Sequence, residues 1–158
     1  SAASDVYKRQ PLLPWFRNSI QKHGLEANFV VYGQVPRERI FNLLPDFDIH
    51  IITSLLEANT TVIWETMSWG IPTISLDHFG MADVINDSCG IKIPVKSYGQ
   101  VVNCLAATLD NLSLNPEKIL QLKKGVYQSA VKYTWNNRID FYESCYKKAI
   151  MNFTSKSK

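Results

Sequence analysis

The stretch LLEANTTVIWETMSWGIPTISL, residues 55–76, decides the fold and holds two carboxylates eight positions apart. Its middle, from Thr61 to about Trp69, predicts a helix. Gly70 is a natural stop for that helix, and Pro72 prevents its continuation. The residues TISL (73–76) predict a strand. The stretch therefore predicts a helix that is followed at once by a strand.

Helices and strands alternate on both sides of this stretch. Upstream, the pattern predicts helices over residues 15–23 and 37–44 and strands over 28–33 and 48–53. The isoleucine run of the second strand is typical of a parallel strand buried on both faces. Downstream of the opening stretch, the pattern of residues predicts a short helix within 77–87 and a strand at 90–93. It then predicts helices over 98–111, 117–133 and 136–150.

This alternation with short loops predicts the fold class. Strands joined through helices form a parallel sheet with right-handed crossovers. We therefore expect an α/β fold, a Rossmann-like parallel sheet with flanking helices. Such sheets bind ligands beyond the carboxyl ends of their strands.

Composition excludes several classes of protein. With 158 residues, 46% of them hydrophobic, the chain can bury the core of one globular domain. Its three cysteines are scattered, which argues against disulfides and zinc and favours the cytoplasm. The sequence contains no basic stripe interleaved with aromatic residues, so it gives no indication of nucleic-acid binding. The absence of a GxGxxG motif and of clustered ligand residues argues against a nicotinamide cofactor and a bound metal.

The two ends of the chain differ in composition from the rest. Residues 1–10 fit neither helix nor strand and are expected to be a non-native leader, so that the natural protein would continue upstream. The last twelve residues carry four lysines and no acid. We expect residues 151–158 to form a basic tail, which is either solvated or drawn to an anionic membrane surface.

Glu65 lies on the predicted helix of the opening stretch, which is apolar nearly all round and is therefore expected to be buried. A capping box would need serine or threonine three residues earlier, but position 62 is valine. A salt bridge to a distant cation and a bond to a ligand remain equally open for this carboxylate.

Glu57, Asn59, Thr60 and Thr61 surround the start of the same helix. Helix N-termini favour phosphate, although Asn and Thr are also ordinary capping residues there. Glu57 follows a predicted strand at the ligand edge and can accept hydrogen bonds from sugar hydroxyls. A phosphate cradle between two hydroxyl acceptors suits a nucleotide sugar.

The E-x7-E spacing of Glu57 and Glu65, followed by TMSWGIPTISL, resembles the donor-binding signature of retaining GT-B glycosyltransferases, and specifically glycosyltransferase family four. The resemblance extends over residues 15–150, with Trp135 in the family's F-S-W position. It implies that Glu57 bonds the donor sugar and Glu65 the ribose diol. It also implies that the backbone of Thr60, Thr61 and Val62 meets the diphosphate, and that Gln34 and Val35 lie near the base.

The sequence departs from the family pattern at several positions. Ala58 stands where glycine is usual, and the loop DHFG (77–80) replaces a frequent glycine pair. His78 in this loop either touches a substrate or is merely solvated, and Asp83 either takes the family's loop glutamate position or caps a helix. The family's first strand and its acceptor-binding domain would lie upstream. Residues 11–150 are therefore expected to be a partial C-terminal domain that binds nucleotide sugar and is inactive alone.

The resemblance implies a hexosyltransferase of polysaccharide biosynthesis. It would move a hexose from a UDP- or GDP-sugar to a hydroxyl of a glycan or lipid-linked acceptor, without cofactor or metal. We expect a cytoplasmic location, with peripheral association at the inner face of the membrane left open. Two alternatives remain: a nucleotide-sugar epimerase of GT-B fold, and a non-catalytic nucleotide-binding subunit.

Overall fold

The computed structural model describes residues 12–55 and 61–156, with side chains for 12–55 and 61–153. The chain divides into two compact units, Ser1–Leu43 and Leu44–Lys158. In chain order its elements are α1 (Leu13–Lys22), α2 (Arg37–Leu43), β1 (His50–Ile52), α3 (Thr61–Ser68), β2 (Thr73–Leu76), α4 (Phe79–Val84), β3 (Gly90–Ile93), α5 (Tyr98–Leu114), α6 (Pro116–Lys132) and α7 (Trp135–Lys156), with short 3-10 turns at Glu26–Asn28 and Leu44–Asp46.

The second unit is built on a parallel sheet with strand order β1-β2-β3. Ile52 pairs with Ser75, and Leu76 pairs with Ile93, so the carboxyl ends of all three strands meet at one edge. Three parallel strands with flanking helices confirm the predicted fold class. All four residues of the central strand β2 are buried.

The core of this unit forms two clusters. Ile74 and Leu76 share one face of β2, since alternate strand residues point the same way, and they pack with Ile93 and Leu112. The other cluster joins α3, α4 and α6, with Met81 fully buried in it. Burial of a side chain of this size stabilises by about 1.5–3 kcal/mol. The sheet edge is therefore held by core packing.

Three local predictions need correction. Residues 28–33 form no strand: the described part of the first unit holds no strand with which they could pair, and Val30 is largely exposed. In β1, Ile51 is 41% exposed because the flanking helices pack mainly on β2 and β3. Helix α3 buries one face only: Ile63, Thr66 and Met67 are buried, whereas Val62 is exposed, as is Trp69 directly after the helix.

The last helix, α7, carries a long apolar stripe. At about 100° per residue, six large side chains fall within roughly 80° of its circumference. Each of them is 48% to 76% exposed: Trp135, Ile139, Tyr142, Tyr146, Ile150 and Phe153. The helix continues to Lys156, through most of the predicted basic tail. None of the described helices is apolar over a stretch long enough to cross a membrane.

Candidate functional site

Helix α3 brings part of the predicted site to the carboxyl edge of the sheet. It follows β1, begins at Thr61, and presents Thr61 and Val62 as exposed residues in its first turn. Glu65 is half-buried and lies one turn further, about 6 Å along the axis. Thr61 and Glu65, four residues apart, share the helix face opposite the core. A ligand that touches the start of α3 can therefore reach the Glu65 carboxylate.

Contacts on the inner side fix this helix in place. The Thr66 hydroxyl donates to the carbonyls of Val62 and Ile63, at 3.1 Å each, which satisfies a buried polar group. Trp64 packs against Tyr133 with ring centroids 4.9 Å apart, and the Arg138 guanidinium lies 5.5 Å from the Trp64 ring. The aromatic contact of Trp64 thus joins α3 to Tyr133 and to Arg138 of α7, on the residue that precedes Glu65.

The remaining predicted donor-site residues are distributed differently. Glu57, Asn59 and Thr60, with the departure at Ala58, lie outside the described residues. Gln34 is exposed and Val35 half-buried, and both follow Gly33 in the loop that precedes α2 of the first unit. In the second unit, therefore, the structure groups Thr61, Val62 and Glu65.

The loop after β2 adds residues to the same edge. Asp77 pairs with Lys92 at 3.5 Å, and the Lys92 ammonium also donates to the Ala82 carbonyl at 3.3 Å. His78 and Phe79 are exposed, with ring centroids 4.1 Å apart. Phe79 has φ +51°, in the region that favours glycine. The sequence signal for this was the replacement of a glycine pair by Phe79-Gly80.

Asp83 does not cap the start of a helix. Helix α4 begins at Phe79, and its N-cap residue is His78, which makes no side-chain capping bond. Asp83 is exposed near the end of that helix. Asp83 is therefore not the N-cap of α4.

Among the described residues, His50 is the titratable group whose pKa is most affected by its surroundings. Burial lowers the pKa of its imidazole from 6.5 to about 4. Its Nδ1 lies 3.1 Å from the Thr73 hydroxyl, and both residues begin their strands, at the edge opposite α3's N-terminus. His50 is therefore a half-buried histidine with a structural contact, and its imidazole is neutral in the folded state at neutral pH.

The described residues hold neither a cluster of metal ligands nor a disulfide. Among residues 12–55 and 61–156, no three His, Cys, Asp or Glu side chains lie together as a metal site. Cys89 is buried, Cys104 is half-buried and Cys145 is exposed, and all three are free thiols. The Cys89 sulfur accepts from the Asn86 amide at 3.5 Å, in keeping with a structural thiol.

The family model described as "Glycosyl transferases group 1" matches residues 9–129. The chain belongs to the glycosyl transferases group 1 family. Membership of this family supports a function in glycosyl transfer. No curated protein sequence matches the chain significantly.

Solved structures agree with this fold assignment. Sucrose-phosphate synthase from Thermosynechococcus elongatus is similar with a TM-score of 0.69 and 18% identity, over 87% of this chain and 34% of that chain. The C-terminal domain of a glycosyl transferase group 1 family protein from Francisella tularensis is similar with a TM-score of 0.66 and 17% identity. The match covers 79% of this chain and 65% of that chain. The group 1 chain thus spans about a third of one structure and just under two thirds of the other, and shares the Rossmann-like half of a GT-B fold.

Proposed function

We propose that this chain is the donor-binding half of a retaining GT-B glycosyltransferase of family four. It binds a UDP- or GDP-sugar at the carboxyl edge of its sheet. The observation that carries the proposal is the placement of Thr61 and Glu65 on the outward face of α3, where that helix begins, in a group 1 family member. The complete enzyme would transfer a hexose to a hydroxyl of a glycan or lipid-linked acceptor.

The diphosphate, the ribose and the sugar of the donor each have a matching group in this proposal. The backbone at Thr61 and Val62, in the first turn of α3, faces the diphosphate, because the start of a helix carries a positive partial charge that favours phosphate. The Glu65 carboxylate accepts from the ribose diol. Glu57 accepts from the donor sugar.

The chemistry follows from where charge develops. When the bond between sugar and phosphate breaks, the leaving diphosphate gains negative charge. Amides already oriented at a helix terminus stabilise that charge without rearranging. The proposed mechanism therefore assigns no step to a metal ion. Glu57 acts on the reacting sugar by holding it in a productive orientation.

In this proposal, the acceptor is bound by a different domain from the donor. The chain spans only part of the length of the solved structures it resembles. We therefore assign acceptor recognition to a domain outside the 158 residues, and transfer to the complete protein. On its own the chain is expected to bind donor without transferring sugar.

Calorimetric titration of the chain with UDP and GDP tests the proposal. Glu65→Ala should weaken the preferred nucleotide about tenfold or more, because hydrogen bonds to a charged group are worth roughly 1.5–3 kcal/mol. Glu117→Ala, on the exposed first turn of α6, is the control and should bind like the wild type. Wild-type protein that binds neither nucleotide, or a folded Glu65→Ala variant with unchanged affinity, would contradict the proposal.

A further inference from the structure

Phe79, the first residue of α4, has an unusual backbone conformation. Its φ is +51°, and no other non-glycine residue in the described part of the chain has a positive φ. Bulky L-residues rarely occupy this region, because the side chain crowds the backbone. Such strain persists only where the surrounding structure enforces it, and it concentrates at binding and catalytic sites.

The surroundings of Phe79 enforce this conformation from both sides. The Asp77 amide donates to the Ile93 carbonyl at 2.8 Å, which joins the start of the loop to β3. Lys92, also on β3, contacts Asp77 at 3.5 Å and donates to the Ala82 carbonyl at 3.3 Å. Met81 anchors α4 in the core, with no exposed surface. The backbone at position 79 is therefore set by its neighbours.

Burial of the Phe79 ring does not offset the strain. The residue is 46% exposed, although Met81 and Val84 of the same short helix are buried. A ring this exposed recovers only part of the stabilisation that a buried phenylalanine provides. Glycine would meet the backbone requirement without strain. The stability of the fold therefore does not account for an aromatic ring at position 79.

A second exposed ring lies beside it. The His78 imidazole and the Phe79 ring have centroids 4.1 Å apart, at an interplanar angle of 55°. Both follow β2, whose neighbour β1 leads into the loop before α3. The two rings consequently form an aromatic surface at the sheet edge where α3 presents Thr61 and Glu65.

We propose that His78 and Phe79 form a stacking platform for the pyranose ring of the donor sugar. One face of a pyranose presents C–H groups, which carry slight positive charge and pack well on the negative face of an aromatic ring. This inference rests on the proposed function and adds a specificity element to it. The platform selects hexoses with an uninterrupted C–H face over those that direct a hydroxyl at the rings.

The test compares two ligands on matched variants. The affinities of UDP and GDP are measured beside those of UDP-glucose and GDP-glucose. Phe79→Ala should weaken the glucose conjugate about three- to tenfold and leave the free diphosphate unchanged, as expected for one aromatic contact. Phe79→Trp should retain binding. Phe47→Ala, at a 44% exposed phenylalanine before β1, is the control and should change neither affinity.

A glycine variant separates strain from binding. Phe79→Gly should lose the same affinity as Phe79→Ala but have a higher midpoint of thermal unfolding than Phe79→Ala, because glycine tolerates positive φ. Equal losses for diphosphate and conjugate, or no loss for either, would overturn the platform. If the wild type binds no nucleotide, the proposed function fails. The platform is then judged by NMR with methyl glucoside: signal transfer seen in the wild type and lost in Phe79→Gly supports it, and none in the wild type overturns it.

Discussion

The backbone of Gly125 in α6 lies directly against the carbonyl group of Ser88, with no space for a side chain between them. Ser88 belongs to the loop before β3, and Gly125 is buried in the middle of a 17-residue helix. This contact joins α6 to the loop that leads into β3, the strand that carries Lys92. It holds because glycine has no Cβ.

Gly125→Ala should therefore destabilise the protein, although alanine is the better helix former. A Cβ would overlap backbone atoms, so the helix or the loop must move, at a cost of about 1–3 kcal/mol or more. Gly99→Ala is the matched control. A Cβ at Gly99, in the first turn of α5, meets nothing within 4 Å, so the change should stabilise by about 0.5–1 kcal/mol. Urea unfolding of both variants measures the difference, and equal stability would contradict the close contact.

Glu57 and Glu65 should affect different parts of the donor. Glu65→Ala should weaken free nucleoside diphosphate and intact nucleotide sugar alike, about tenfold or more, since both contain ribose. Glu57→Ala should spare the free diphosphate, which has no sugar for it to contact. Calorimetry of two variants with two ligands decides the matter.

A ligand change provides an independent control for the glutamate assignment. A 2′-deoxyribose analogue should reproduce part of the Glu65→Ala loss in the wild type and add little in the variant. If both variants lost the same affinity for both ligands, the assignment of Glu57 to the sugar and Glu65 to the ribose would be refuted. In the complete protein, Glu57→Gln should lower the transfer rate about a hundredfold by lost positioning.

Acid should destabilise the fold through His50. Because burial lowers its pKa to about 4, the unfolded chain takes up a proton near pH 6.5 that the folded chain refuses. The share of the free energy of unfolding that depends on a neutral His50 is fully present above pH 6.5. It falls by about 2–3 kcal/mol as the pH decreases towards 4. The free energy of unfolding should therefore fall less steeply between pH 7 and 4.5 in His50→Gln than in the wild type. Parallel profiles would show that His50 titrates normally in the fold.

Removing the Ser75 hydroxyl should not harm the protein. The residue is 1% exposed, and its Oγ has no hydrogen-bond partner among the residues that the structure describes, so the oxygen carries an uncompensated desolvation cost of about 1–3 kcal/mol. Ser75→Ala should be neutral or stabilising. Thr73→Val, two residues earlier, removes the hydroxyl near His50 Nδ1 and should destabilise. Thermal unfolding of the pair measures this, and a large loss in Ser75→Ala would mean that its hydroxyl is bonded.

The sequence predicted the helices and the three strands of the sheet because their signals are local. Gly70 ends α3, with φ +69°, and the apolar residues of β2 are buried as their run implied. The failures arose where a partner decides the outcome. Residues 28–33 have the composition of a strand, yet a strand also needs a neighbour to bond with. Ile51 is exposed because coverage by helices depends on tertiary packing.

The candidate site was partly predictable for the same reason. The spacing of the two glutamates is a linear pattern, so Glu65 and Thr61 could be assigned to the start of a helix beforehand. The conformation of Phe79 depends on bonds from β3 and could not be read from its own residue type. Likewise, a glycine inside a helix gives no sign of what lies against it, so the contact of Gly125 with Ser88 went unpredicted.

The apolar stripe on α7 should make the isolated chain associate with itself in concentrated solution. Its six side chains, from Trp135 to Phe153, stay in contact with water in the isolated chain. The gain from covering such a surface is mainly entropic near room temperature and grows with warming from the cold. Concentrated solutions should therefore scatter more light as they are warmed from 4 to 25 °C and clear again on cooling. Replacing Tyr146 and Ile150 with glutamine should remove this turbidity.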